Sequence, residues 1–242
     1  MHSKRTRLDR FVSQHTGLPR KNVRQMIAKQ ELMIDGVHAT NIHQLIDEFT
    51  QVMLNDTTLQ NKKPIYIMMN KPIGVVSATK DATHVTVIDI LRKSLNLYET
   101  QRLDVDNLHI VGRLDFNTSG LLLLTNNGRW SRQLTSPDAK IAKLYKVTLK
   151  NPINSDYIHA FAEGMYFPYE DITTRPATLE IVNDYTAMVT LVEGRYHQIK
   201  RMFGRFQNPV LELHRLAIGN LILDTKMKPG NWRELTAIDV NF

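Results

Sequence analysis

The chain has no cysteine among its 242 residues. That excludes disulfides, thiolate nucleophiles and zinc sites built on thiolates. No apolar run is long enough to cross a bilayer, and the opening "MHSKRTRLDR" lacks the apolar core of a secretory signal. A cytoplasmic protein with no membrane partner is therefore expected. "NDT" at 55–57 and "NTS" at 117–119 fit the N-glycosylation pattern, but without an export signal they read as chance matches. Also missing are the glycine-rich phosphate loop, the dinucleotide fingerprint and the Gly-x-Ser-x-Gly elbow. The nine histidines do not fall at zinc-ligand spacings, since His38/His43 and His197/His214 lack carboxylates at matching offsets. If the chain is an enzyme, its chemistry is expected to need neither metal nor cofactor.

What is present suffices for one or two packed domains, because 42% of the residues are hydrophobic and 23% charged. The formal net charge of +7 suits an anionic partner. Its distribution says more than its total. Residues 1–30 hold eight Lys/Arg against Asp9 alone, and residues 31–61 then hold five acids and no Lys/Arg. A second basic cluster, Arg195, Lys200, Arg201 and Arg205, has no acid among it. Two contact surfaces for a polyanion and two solvated basic faces are equally compatible with this pattern.

Leu8, Phe11, Val12 and His15 fall at helical spacing, "TGLPR" stops that helix, and Val23, Met26 and Ile27 mark a second one. "ELMIDGVHA" then folds on Asp35-Gly36, a strong hairpin signal, and "TQVMLN" reads as a further strand. Residues 1–60 thus form a helix-helix-hairpin module, residues 61–64 ("NKKP") a linker, and residues 65–242 a larger domain. In that domain "IYIMMNKPIGVVSAT" reads as strand, turn at Asn70-Lys71-Pro72, and strand, and "HVTVIDILRKSL" as a helix. "GLLLLTNNGRW" reads as a buried strand, "KLYKVTL" as an alternating one, and "SDYIHAFAEGM" as a helix. "ATLEIVN" and "AMVTLVEG" pair as strands, "RYHQIKRMFGRF" is a basic helix, and "VLELHRLAIG" and "NLILD" are strands. The fold class is α+β, with the larger domain on a large mixed, mostly antiparallel sheet.

One segment poses a chemical question. "VGRLDFNTSGLLLLT" puts Asp115 in a turn just before four consecutive leucines. An aspartate there is a good turn residue that caps nearby amides. It is also a carboxylate beside an apolar strand, which needs a cationic or hydrogen-bonding partner to stay ionised.

"RLDRFVSQHTGLPRKNVRQMIAKQELMIDG" resembles the small RNA-binding module named after a ribosomal small-subunit protein. "GRLDFNTSGLLLLTNNG" closely resembles the signature of the RsuA-type pseudouridine synthases, and "NKPIGVVS", "KLYKV", "EGRYHQIKRMF" and "LHRLAIGNLIL" resemble that family's other motifs in the same order. The likeness spans nearly the whole chain and is greatest to members acting on small-subunit (16S) ribosomal RNA. It implies base flipping and isomerisation of uridine to pseudouridine without a cofactor. It implies Asp115 as the catalytic carboxylate, whether nucleophile, base or electrostatic stabiliser. Tyr145 would stack the flipped base, and Arg113 would contact phosphate or fill the vacated space. Lys200 would be the cation beside Asp115, and Ile218 would line the uracil pocket or simply belong to the core. Arg7, Arg10, Arg20, Lys21, Arg24 and Lys29, with Arg195 and Arg201, would hold ribosomal RNA. A monomer is expected. The competing readings are a synthase for large-subunit RNA, a non-catalytic ribosome-assembly protein, and a nucleoside hydrolase.

Overall fold

The leucine run sits at the middle of the largest sheet. In the computed structural model, which describes residues 5–240, the strand Ser119–Thr125 carries Leu121, Leu122, Leu123 and Leu124 with no exposed surface at all. Alternate side chains of a strand point to opposite faces, so such a run without polar residues means both faces are covered. Leu122 and Leu124 join one apolar cluster, and Leu121 and Leu123 join another on the opposite face.

Nine strands make this sheet. Along its path lie Thr178–Asn183, Thr186–Leu191, Lys143–Leu149, Val210–Ile218, Ser119–Thr125, Tyr66–Lys71 and Trp232–Glu234. Two short strands pair beside it, His109–Val111 and Leu221–Ile222. Every pairing in the sheet is antiparallel except one: Val210–Ile218 runs parallel to Ser119–Thr125, with His214 opposite Ser119 and Arg215 opposite Gly120. The two backbones touch there. A Cβ on Gly120 would fall 2.3 Å from the Arg215 carbonyl oxygen, and its φ of +106° is one that side-chain-bearing residues rarely adopt.

Helices cover both faces. The larger cluster receives Val87, Ile88 and Leu91 from helix Val87–Ser94, Tyr157 and Phe161 from Ser155–Glu163, and Ile199, Met202 and Phe203 from Gln198–Gly204. The first of these starts on a capping box. Thr86 Oγ1 accepts from the Asp89 N–H at 3.0 Å, and Asp89 Oδ2 accepts from the Thr86 N–H at 2.9 Å. The opposite cluster receives Trp130 and Leu134 from helix Gly128–Thr135. Each large apolar side chain so buried contributes about 1.5–3 kcal/mol.

The chain divides into two compact units, one reaching to Pro64 and including Asn127–Arg129, the other Ile65–Asn126 with the residues from Trp130 onward. In the first, Leu8, Phe11 and Val12 of helix Leu8–Thr16 pack with Val23 and Met26 of helix Arg20–Ala28. Gly17, at φ +72°, ends the first helix, its N–H donating to the Ser13 carbonyl at 3.0 Å. Strands Leu32–Ile34 and Val37–His38 join through Asp35 and Gly36, both at positive φ, in a hairpin of the primed type. Strands Val52–Leu54 and Thr57–Gln60 complete that four-stranded sheet.

Three stretches differ from the sequence reading. Asn70 and Lys71 belong to the strand Tyr66–Lys71 and are buried; the strand expected through "VVSAT" is only a bridge between Val76 and Thr86. Asn127-Gly128 does not just close the leucine strand. Asn127 Oδ1 accepts from the Arg129 N–H at 3.1 Å as the helix Gly128–Thr135 begins, and Trp130 and Leu134 give that helix its buried stripe. The basic helix starts only at Gln198, because His197 takes the left-handed conformation (φ +48°) ahead of it.

Candidate active site

The turn that carries Asp115 is held by its main chain, and its carboxylate is left out. Lys71 Nζ donates to three carbonyls: Thr118 at 2.8 Å, Pro72 at 2.9 Å and Asp115 at 3.1 Å. An ammonium has three protons, so each finds an acceptor. Ser77 Oγ both donates to the Leu114 carbonyl (2.8 Å) and accepts from the Leu114 N–H (3.1 Å). The Gly74 N–H donates to the Phe116 carbonyl at 2.9 Å, and the Thr118 N–H to the Asp115 carbonyl at 3.0 Å. From the neighbouring strand, Arg215 Nε donates to the Leu121 carbonyl at 2.7 Å and Nη1 to the Arg113 carbonyl at 3.4 Å. A turn tied at so many points cannot shift its main chain, and so the direction in which the Asp115 side chain leaves it, without breaking buried hydrogen bonds.

Lys71 and Arg215 do this from inside the protein, with 0% and 2% of their surface exposed. Burial pushes the Lys71 amine down to about 8; the Asp115 charge opposes that shift and the Arg215 charge adds to it. Lys71 is therefore a cation at neutral pH, close to the titration that would cost it one donor.

Asp115 is about one-third exposed and opens on a cavity of about 240 Å³. Arg113, Tyr145, Leu191, Arg195, His197 and Leu213 share the lining. Tyr145 stands on the strand Lys143–Leu149, between Val189 and Arg215 of its two neighbours. His197 Nε2 lies 3.3 Å from Asp115 Oδ2, an ion pair whenever the imidazole is protonated. Its ring stacks on Tyr196 at 3.9 Å. Among the described residues no cluster of three or more His, Asp or Glu could hold a metal ion.

Of the residues expected at the site, Arg113, Asp115 and Tyr145 come together around this cavity, joined by Arg195 from those expected to hold RNA. Two do not join them. Lys200 is half-buried, does not line the cavity and makes no ion pair among the described residues; the side chain that reaches Asp115 is His197. Gln198 lines the cavity, and Lys200 lies two positions further on, roughly 200° around the helix. Ile218 is 2% exposed and belongs to the cluster on the other face of the sheet, with Leu121 and Leu123; the apolar residue from its strand at the cavity is Leu213. Arg201 is engaged elsewhere. Its Nη1 donates to Glu170 Oε1 at 2.6 Å, and its guanidinium lies 3.9 Å from the centre of the Phe167 ring. Arg7, Arg10, Arg20, Lys21, Arg24 and Lys29 are all exposed in the N-terminal unit, Arg7 paired with Asp9 (2.6 Å) and Lys29 at 4.0 Å from Glu31. Lys71, His197 and Arg215 are additions that sequence reasoning missed. Each lies inside a motif, yet nothing in spacing distinguishes a buried Lys or Arg from a solvated one, or shows that His197 reaches Asp115.

The arrangement is a fixed carboxylate at a strand mouth, facing a small cavity with an aromatic wall and cationic rim. The sequence pattern of the RNA pseudouridylate synthase family matches residues 65–204. The chain belongs to that family. It is an RNA pseudouridine synthase, an isomerase that converts uridine to pseudouridine within RNA. It is 45% identical over 235 residues to the ribosomal small subunit pseudouridine synthase A of Pseudomonas aeruginosa, covering 97% of this chain and 98% of the relative. The protein of the same name from Escherichia coli K12 is 37% identical with the same coverage. A crystal structure of a pseudouridylate synthase superposes with a TM-score of 0.67 at 36% identity, covering 97% of both chains. Among the described residues no helix is long and apolar enough to cross a membrane.

Proposed function

We propose that Asp115 is the catalytic carboxylate and that the substrate is a uridine of small-subunit (16S) ribosomal RNA. One observation carries the first claim. The Asp115 main chain is immobilised by Lys71 and its neighbours while its carboxylate faces the cavity lined by Tyr145. The names of the relatives support the second.

A uridine in structured RNA must leave its stack to be modified, at a cost of a few kcal/mol. The Tyr145 ring offers a face for the extruded base, and the exposed Arg113 at the rim offers a guanidinium to phosphate. Isomerisation then breaks the bond from the sugar to N1, turns the ring, and joins the sugar to C5; C5 loses its proton and N1 gains one, so no net proton is released. The anomeric carbon becomes electron-poor as the first bond breaks. A carboxylate held there stabilises it, adds to it, or takes a proton from the sugar. A placed anion needs no reorganisation at the moment of reaction, and the bonded turn supplies that placement. His197, at 3.3 Å, fills the role expected of Lys200: it orients the carboxylate and, when protonated, balances its charge.

Residues 1–60 serve in this reading as an RNA-binding module whose exposed cations supply affinity without sequence preference. The chain acts as a cytoplasmic monomer on ribosomal RNA. In Asp115→Asn, single-turnover pseudouridine formation should fall by at least about 10³-fold while RNA affinity stays within about threefold. Full activity in that variant overturns the catalytic claim. Chemical mapping of pseudouridine in small- and large-subunit transcripts tests the substrate, and modification of the large-subunit RNA alone would overturn it.

A further inference from the structure

Beside the cavity that holds Asp115 lies a second one, of about 320 Å³. The two share a wall, since Arg113, Tyr145, Gly194 and Arg195 line both. The charged lining of the second cavity is completed by Lys143, Arg175, Arg215 and Glu193. Five cations thus face one carboxylate.

That carboxylate is already engaged. Glu193 is buried and accepts from Gln198 Nε2 (2.6 Å), the Arg175 backbone N–H (2.8 Å) and Arg195 Nε (3.2 Å). Three of the other cations rest on neutral carbonyls. Lys143 Nζ donates to Ile141 at 3.0 Å, and Arg175 Nη1 to Pro137 at 3.0 Å. The Arg215 guanidinium donates through Nε and Nη1, but its buried Nη2 has no partner among the described residues. Burial, with the nearby Arg215 charge, pushes the Lys143 amine below its ordinary value. Arg215 is buried, Lys143 and Arg175 are half-buried, and none of the three has a carboxylate partner among the described residues, so an anion entering this cavity would find unneutralised positive charge.

The substrate brings such an anion. A flipped nucleotide carries a phosphodiester on each side of its own ribose, so a phosphate must lie within one nucleotide's length of Asp115. We infer that the second cavity is the subsite for a phosphodiester flanking the flipped uridine, with Lys143 and Arg175 as its ligands and Arg215 as a fixed charge behind them. This inference rests on the reading of the Asp115 cavity as the place where uridine is turned. It gives the site a way to hold the backbone while the base rotates free, a contact that positions without reading sequence.

The test uses the full chain and three pentanucleotides with one central uridine between adenines. One has natural linkages; the others carry a single neutral methylphosphonate, 5′ or 3′ to the uridine. For the wild-type chain, neutralising one of the two linkages should weaken binding about tenfold, and neutralising the other should have much less effect. Arg175→Met and Lys143→Met should bind the natural RNA more weakly and lose most of that difference between linkages, while Arg175→Lys should retain part of it. Indifference of the wild-type chain to both methylphosphonates overturns the inference, and that arm needs no variant to fold. So does a Met variant that shows the full wild-type discrimination. Binding and pseudouridine formation are read separately. A chain that discriminates between the linkages yet forms no pseudouridine sinks the enzymatic reading, whereas one that forms pseudouridine but ignores both methylphosphonates sinks only the subsite.

Discussion

In the N-terminal unit Arg10, Arg20, Lys21 and Arg24 stand exposed on two short helices; in the unit that carries Asp115, Lys71 and Arg215 are buried against main-chain carbonyls. The residue types are the same and the uses are opposite. An exposed cation is mobile and hydrated, so it adds to the field a polyanion meets but fixes nothing about its geometry. A buried cation has lost its water, so its protons turn to protein acceptors, as all three of Lys71 and those on Nε and Nη1 of Arg215 do, and those acceptors are thereby held in place. Affinity for RNA is expected to scale with the first kind. The aim of the catalytic carboxylate is expected to depend on the second.

The contrast breaks most readily at Lys71. Lys71→Met keeps the length of the side chain and removes three hydrogen bonds from the Asp115 turn. Turnover should fall about 100-fold, as a misplacement of about 1 Å would produce, while RNA binding measured on filters stays near wild type. Undiminished turnover would mean that the turn holds its shape without the ammonium. The exposed set should behave in the opposite way. Replacing Arg20, Lys21 and Arg24 together by Gln should weaken RNA binding about tenfold and flatten the plot of log affinity against log salt by about two units, with the rate at saturating RNA unchanged. A loss of rate at saturation would mean that these residues also place the substrate. The smallest effect is on stability. The Lys71 amine titrates at about 8 in the folded protein and at its ordinary, higher value when unfolded. Between those values the unfolded chain binds more protons, so stability should rise with pH from about 8 to about 10.5, and the burial cost should be fully present below 8. Urea titrations across that window should show the rise in the wild-type chain and its absence in Lys71→Met.

The same contrast explains what could be read from sequence. The helical stripe of Leu8, Phe11 and Val12, the Asp35-Gly36 hairpin and the leucine strand all announce themselves, because periodicity and turn chemistry are local properties. Asp115 and Tyr145 could be placed on their turn and strand for the same reason. Lys71 could not: next to Pro72 it reads as a turn residue, and only contacts with residues 44 and 47 positions away in the chain make it a buried anchor. Lys200 and Ile218 show the complementary difficulty. Both lie in segments that do reach the site region, but helix rotation and strand alternation decide which side chain faces the cavity, and a motif does not state where either begins. His197 reaches Asp115 because its own backbone turns left-handed, a conformation that its sequence neighbours do not signal.

The contact of Gly120 with Arg215 has a consequence in time. The parallel pairing that creates it joins residues 95 apart in sequence, as Ser119 and His214 are. At about 5–20 residues per second of synthesis, the second strand emerges several seconds or more after the Asp115 turn. Until then the Arg113 carbonyl lacks its Arg215 donor, and the leucine strand lacks its neighbour on that side. A long-range closure of this kind is slow compared with the hairpins that precede it. Completion of the site is thus tied to near-completion of the chain, and a nascent fragment ending before residue 210 would carry Asp115 and its Lys71 anchor without the Arg215 strand beside them.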